Sequence, residues 1–158
     1  MADMRAMNGM FFEEFEVDMT LQTDGRTITE ADIVNFAGLS GDFNPLHTNA
    51  VHAAGTMFGA RVAHGALVFA IATGLAYRTR IMEGTGIAFR SIDEWKFSAP
   101  VFIGDTVYCD LRVSELKPAP RLGGGLVTLE VKVINQDGKT VQKGALTLIM
   151  ASQTGAEA

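Results

Sequence analysis

The sequence predicts an α+β protein in which an antiparallel sheet wraps around one long apolar central helix, with a helical insertion ahead of that helix. Three observations carry this. Ala66 to Tyr77 holds Thr73 as its one strongly polar side chain before the tyrosine, and a helix apolar on all sides has to be buried on all sides. From Ile87 onward apolar and polar residues alternate with a period of two, the mark of strands with one covered face. Asp137-Gly138 between two such runs is a strong hairpin signal, which makes neighbouring strands antiparallel. A single helix covers one face of such a sheet and leaves the edges open, so a homodimer, or a multiple of one, that joins edges into a longer sheet is expected.

The elements follow in order. Phe15, Val17, Met19 and Leu21 alternate with Glu16, Asp18 and Thr20 as a strand, and Asp24-Gly25 turns the chain. Thr29 and Asp32 have the spacing of a capping box, and Ile33, Phe36 and Ala37 continue it as a helix over about 30–38, ended by Gly38 and Gly41. Gly41 to His47 is a rigid polar loop, because Pro45 cannot sit inside a helix. A short helix from about Asn49 to Ala54 is stopped by Gly55, and the central helix runs from Gly65 to Tyr77-Arg78. Ile87 to Phe97 is a strand, followed by a turn through Ser98-Ala99-Pro100 and another at Gly104-Asp105. Val107, Cys109, Leu111 and Val113 mark the next strand, Val127, Leu129, Val131 and Val133 the one after, and Thr140 to Met150 the last. Gly123-Gly124-Gly125 reads as a flexible turn and not a phosphate loop, because a strand follows where a helix start is required. The whole chain, 1–158, reads as one domain with its core at about 12–150 and a disordered tail at 151–158.

Composition narrows the function. At 158 residues and 16.9 kDa, with 47% hydrophobic and 20% charged residues, the chain fits one ordinary globular domain. A net charge of −5, a pI of about 5.1 and the absence of a basic run argue against a nucleic-acid surface. The longest apolar run is shorter than the roughly 18 residues of a membrane span. Met1 to Met10 lacks a signal-peptide apolar segment, and Cys109 is alone, so no intrachain disulfide forms and a reducing cytoplasm is the expected compartment. Cys109 itself reads as an inert core residue of its strand.

The chemistry concentrates between Asp42 and His47, where a carboxylate, an amide (Asn44) and an imidazole fall within six residues. Gly41 and Pro45 stiffen the backbone there, so Asp42 and His47 can be held on one water molecule, an arrangement suited to proton shuttling. Gly41-Asp42-Phe43-Asn44-Pro45-Leu46-His47, then Ala63-His64-Gly65 with Gly65 eighteen residues after His47, then Phe97-Ser98-Ala99-Pro100-Val101-Phe102-Ile103-Gly104-Asp105-Thr106, resembles the MaoC-like (R)-specific enoyl-CoA hydratases over about residues 15–150. The resemblance implies a hot-dog fold. It also implies that Asp42 and His47 activate the water added across a trans-2-enoyl-CoA, or remove it in reverse, that Asn44 supports the site, and that the Gly65 N–H binds the thioester oxygen. Asn49 departs from the acidic residue that many members carry. Hydration of a conjugated thioester needs a base for water, an acid toward Cα and a donor for the enolate oxygen, and Asp42, His47 and the first N–H groups of the central helix supply all three. Sequence leaves open which of Asp42 and His47 takes the first proton.

His52 is read as facing solvent and His64 as ordering the start of the central helix by hydrogen bonding. A metal site from Asp42, His47, His52 and His64 lacks any standard ligand spacing such as His-Glu-x-x-His, so no metal is expected. No cofactor is expected either, coenzyme A being part of the substrate. Phe36, Met57, Phe58 and Phe89 are candidates for the acyl pocket. Arg61, Arg78, Arg80, Arg90, Lys96 and Arg121 are available for the anionic coenzyme, although each reads equally well as a solubilising charge. The alternatives are a thioesterase on the same fold and a non-catalytic acyl-CoA-binding domain; a binder has no need of the dyad.

Overall fold

The computed structural model describes residues 9–153. Its helices are α1 (Glu30–Ser40), α2 (Pro45–Thr48), α3 (Ala50–Ala54) and α4 (Gly65–Arg78), and its strands are β1 (Thr20–Gln22), β2 (Arg26–Thr27), β3 (Gly86–Phe97), β4 (Thr106–Ala119), β5 (Gly124–Asn135) and β6 (Thr140–Ala151). All pairings are antiparallel, in the order β1-β4-β5-β6-β3, with β2 also on β4. The expected α+β class, a sheet wrapped around one central helix, is what forms. Register brings Cys109 opposite Val133, Leu111 opposite Val131 and Val113 opposite Leu129. Those six, all buried, pack in one core with Leu67, Val68, Ile71, Ala72 and Leu75 of α4.

Several local expectations are corrected. The strand expected over Phe15 to Leu21 begins only at Thr20, because a turn at Val17-Asp18 breaks the alternation: Asp18 has φ 70 and Val17 is 53% exposed. Asp24-Gly25 does not reverse the chain. Gln22 pairs with Asp110 and Arg26 with Val107, so β1 and β2 run on along β4 with one extra residue bulged between them. Helix α1 passes through Gly38 and ends at Gly41 alone. Of the three consecutive glycines, only Gly123 turns the chain, with φ 78, and the other two are buried at the start of β5. Their missing side chains allow close approach: a Cβ at Gly125 would lie 2.3 Å from the Phe12 ring, and one at Gly124 1.9 Å from the Met150 carbonyl oxygen. Helix α4 is not covered on every side, since Ala66, Ala70, Gly74 and Tyr77 form an exposed stripe.

The tail is only partly as expected. Ser152 Oγ and the Gln153 N–H both donate to the Glu13 carboxylate, the latter at 3.0 Å, so these two residues are fixed. Thr154 to Ala158 and Met1 to Asn8 lie outside the described residues. No helix among the described residues is long and apolar enough to cross a membrane.

Candidate active site

The loop between α1 and α2 is set by short-range hydrogen bonds. Gly41 closes α1 in the left-handed region, φ 76, donating its N–H to the Ala37 carbonyl at 2.8 Å. The Asp42 N–H then donates to Ser40 Oγ at 3.2 Å, and the Asp42 carboxylate accepts the Asn44 N–H at 3.2 Å. Asn44 Oδ1 accepts the Leu46 N–H at 2.9 Å and so caps α2. Pro45 occupies the first position of that helix, where its missing N–H has no acceptor to lose. The loop expected to exclude helix therefore contains one turn of it, and that turn delivers His47. Asn44 holds this backbone through its cap.

His47 comes from α2 and His64 from the start of α4, yet their rings lie 3.8 Å apart, tilted by 30°. His47 Nδ1 is 2.7 Å from the Val62 carbonyl oxygen and His64 Nε2 is 2.9 Å from the Asp42 carbonyl oxygen. A carbonyl only accepts, so both of those nitrogens carry the proton, and the lone pairs sit on His47 Nε2 and His64 Nδ1. A carboxylate oxygen of Asp42 and one ring nitrogen from each histidine lie within 4.8 Å of one another. Asp42 and His47 are thus brought together as expected. His64 orders the start of α4, as read from sequence, by tying it to the Asp42 backbone.

Gly65 opens α4, and its N–H belongs to the first turn, where donors have no acceptor within the helix. Its carbonyl oxygen accepts from Gln142 Nε2 at 2.9 Å, and Gln142 Oε1 accepts from Trp95 Nε1 at 3.0 Å. The Phe97 ring lies over the glycine: a Cβ there would come within 2.8 Å of it. Sequence reasoning missed Gln142 and Trp95, which sit on different strands and carry no spacing signal. Phe97 opens one of the motifs quoted above, but nothing in that motif shows that it lies on Gly65.

The remaining candidates divide. His52 is exposed, and its N–H serves the Asn49 cap of α3, so the non-acidic residue at 49 is a helix cap. Phe89 lines an apolar cavity of about 260 Å³ with Thr73, Tyr77, Met82, Ile87 and Leu146, between the second half of α4 and the sheet. Phe36 rests 5.1 Å from the His64 ring, Phe58 is half-buried, and Met57 is 92% exposed. Arg61 is engaged by Glu30 at 2.5 Å and Arg80 by Glu83 at 2.7 Å, whereas Arg78, Arg90, Lys96 and Arg121 form no ion pair among the described residues.

The profile of the MaoC like domain matches residues 13–147. The chain is 34% identical over 143 residues to an (R)-specific enoyl-CoA hydratase of Rhodospirillum rubrum, covering 90% of this chain and 93% of that protein. It is 41% identical over 97 residues to Protein MaoC of Klebsiella aerogenes, covering 61% of this chain but only 28% of that much longer protein. Among solved structures, the unliganded R-hydratase PhaJ1 from Pseudomonas aeruginosa superposes with a TM-score of 0.77 at 30% identity, covering 93% of this chain and 89% of that one. The chain therefore belongs to the MaoC-like domain family, with the hot-dog fold and a place in its hydratase and dehydratase class.

Proposed function

We propose that this protein is an (R)-specific enoyl-CoA hydratase, or the corresponding 3-hydroxyacyl-CoA dehydratase in reverse. The observation that carries the reading is the meeting of the Asp42 carboxylate and a His47 ring nitrogen within 4.8 Å, next to the opening of α4. Water placed between them loses a proton to this dyad as its oxygen bonds to Cβ, and the double-bond electrons move onto the thioester oxygen as an enolate. The Gly65 N–H, reinforced by the positive end of α4, receives that charge. The enolate then collapses, Cα takes a proton from the dyad, and the hydrated thioester leaves with both protons of the water accounted for. Val62 favours His47 as a base, because its carbonyl stabilises the imidazolium that forms.

The acyl chain runs along α4 into the cavity lined by Phe89, which begins at Thr73, roughly 12 Å from Gly65 at 1.5 Å per residue. Coenzyme A enters as part of the substrate, and the reaction calls for no cofactor. A homodimer is supported by β3, a twelve-residue strand with an open edge on which Ile87 is 50% exposed, Phe89 48%, Ile92 48% and Phe97 62%. The lone, buried Cys109 fits a reducing cytoplasm.

Incubation with a trans-2-enoyl-CoA tests the reading. Absorbance of the conjugated thioester should fall with no free thiol appearing, and the product should be the (R)-3-hydroxyacyl-CoA. Thiol release would make the protein a thioesterase, and saturable binding without either change would make it a binding domain.

A further inference from the structure

We propose that Asp42, His47 and His64 together form a site for a divalent transition-metal ion, and that an ion held there blocks the reaction. The binding stands on geometry alone; the blocking rests on the function proposed above. Sequence argues against a metal because the ligands follow no standard spacing. The fold removes that objection by drawing them from three places: the loop after α1, the helix α2 and the residue before α4.

The argument is a count of lone pairs. His64 is 2% exposed, and its Nδ1 is buried without a hydrogen-bond partner, which is rare for an imidazole in a protein interior. His47 Nε2 is likewise left with its lone pair, since Nδ1 serves Val62. With the Asp42 carboxylate, three acceptors surround one spot, and a water molecule brings only two protons to share among them. A divalent cation satisfies all three at once.

Two imidazole nitrogens and one carboxylate suit zinc, cobalt or nickel and not magnesium or calcium, which prefer oxygen shells. Three protein ligands leave a fourth position open. Bonds of about 2.0–2.2 Å in a tetrahedral shell put the donors roughly 3.4 Å apart. The donors lie within 4.8 Å of one another, so closing to that shell asks for at most about 1.4 Å, and Asp42 is free to supply part of it: it is exposed, and its carboxylate receives one hydrogen bond, from Asn44 at 3.2 Å. His52, exposed on α3, is not part of this group. A metal here takes up the very lone pairs that must accept the proton of the reacting water.

The test uses chelator-treated protein. Titration with Co²⁺, followed by its visible absorption, and with Zn²⁺ by calorimetry should give saturable one-to-one binding that Mg²⁺ in excess does not displace. Asp42→Asn and His64→Phe should each weaken binding by at least about 10-fold, whereas His52→Ala should not change it. Zn²⁺ should abolish hydration of a trans-2-enoyl-CoA by the wild-type protein, and a chelator should restore it. No saturable binding, or binding of equal strength in Asp42→Asn, whose exposed side chain is free of packing demands, overturns the site. Binding without inhibition overturns the block. If metal-free protein hydrates no enoyl-CoA, the function reading fails on its own, while the titrations still decide the site.

Discussion

Asp42 and His47 differ from other polar loop residues in what their neighbours leave unsatisfied. Asp42→Asn and His47→Gln each remove one proton acceptor while nearly preserving volume, so each should lower kcat by about 10²–10⁴, as seen by stopped-time product analysis, with binding of a saturated acyl-CoA little changed. Near-normal kcat in either variant would remove that residue from the reaction. Gly65 needs more care. Proline at the first position of a helix removes the N–H at little cost to the helix, and alanine keeps it, but both add a Cβ that would lie 2.8 Å from the Phe97 ring. The clean comparison is therefore made in a Phe97→Ala background. There, Gly65→Pro should cost roughly 10²–10³ in kcat relative to Gly65→Ala, the usual loss for one oxyanion donor. The meeting of Asp42 with His47 and the helix start at Gly65 were legible because one short motif and one apolar run hold them. The contact of His47 with His64 and that of Phe97 with Gly65 were not, because each joins separate elements at van der Waals distance and leaves no period in the chain.

At the scale of the elements, α4 was read to within a residue, since a long apolar run with a histidine-glycine start has few alternatives. β1 was misread because Asp18 takes a positive φ and turns a regular alternation aside. The start of α4 is held from across the sheet by Trp95 and Gln142, the latter 2% exposed. Gln142→Leu should release the Gly65 carbonyl and let the first turn rotate, lowering kcat more than it raises KM; Gln142→Glu, which keeps an acceptor for Trp95 but loses the donor to Gly65, should behave the same way. An equal rise in KM with kcat intact would assign Gln142 to packing alone. Helix α1 opens with the capping box read from sequence: the Asp32 carboxylate accepts from the Thr29 N–H at 2.8 Å and pairs with Arg26. Burial works against that carboxylate, but these bonds and the Arg26 charge outweigh it and hold its pKa below the ordinary 3.8. A depressed folded value means the stabilisation is present above 3.8 and is lost as pH falls through the folded value. Asp32→Asn should lower Tm at neutral pH by the equivalent of about 1 kcal/mol, and that difference should shrink in acid.

For the whole molecule, the class and the wrap of sheet around helix were legible, while the order of strands was not, because adjacency between β3 and β6 depends on a closure that no local pattern records. The exposed edge of β3 should make the protein a dimer by light scattering, and Ile92→Lys should weaken it; a wild-type monomer at micromolar concentration would count against pairing. Burial pushes the Cys109 thiol up to about 12. In native protein at pH 8 it should therefore stay unreactive toward a disulfide reagent and react fully once urea exposes it, where ordinary ionisation near 9.0 returns. The bonds from Ser152 and Gln153 to Glu13 bridge 139 and 140 positions of sequence. Closing so long a loop yields little until the intervening sheet exists, so this clasp should be among the last contacts to form as the chain folds. It should also be among the first to loosen: the Gln153 amide, and those of Gly9 and Met10 on the neighbouring segment, should exchange their hydrogens well before the amides paired within β4 and β5.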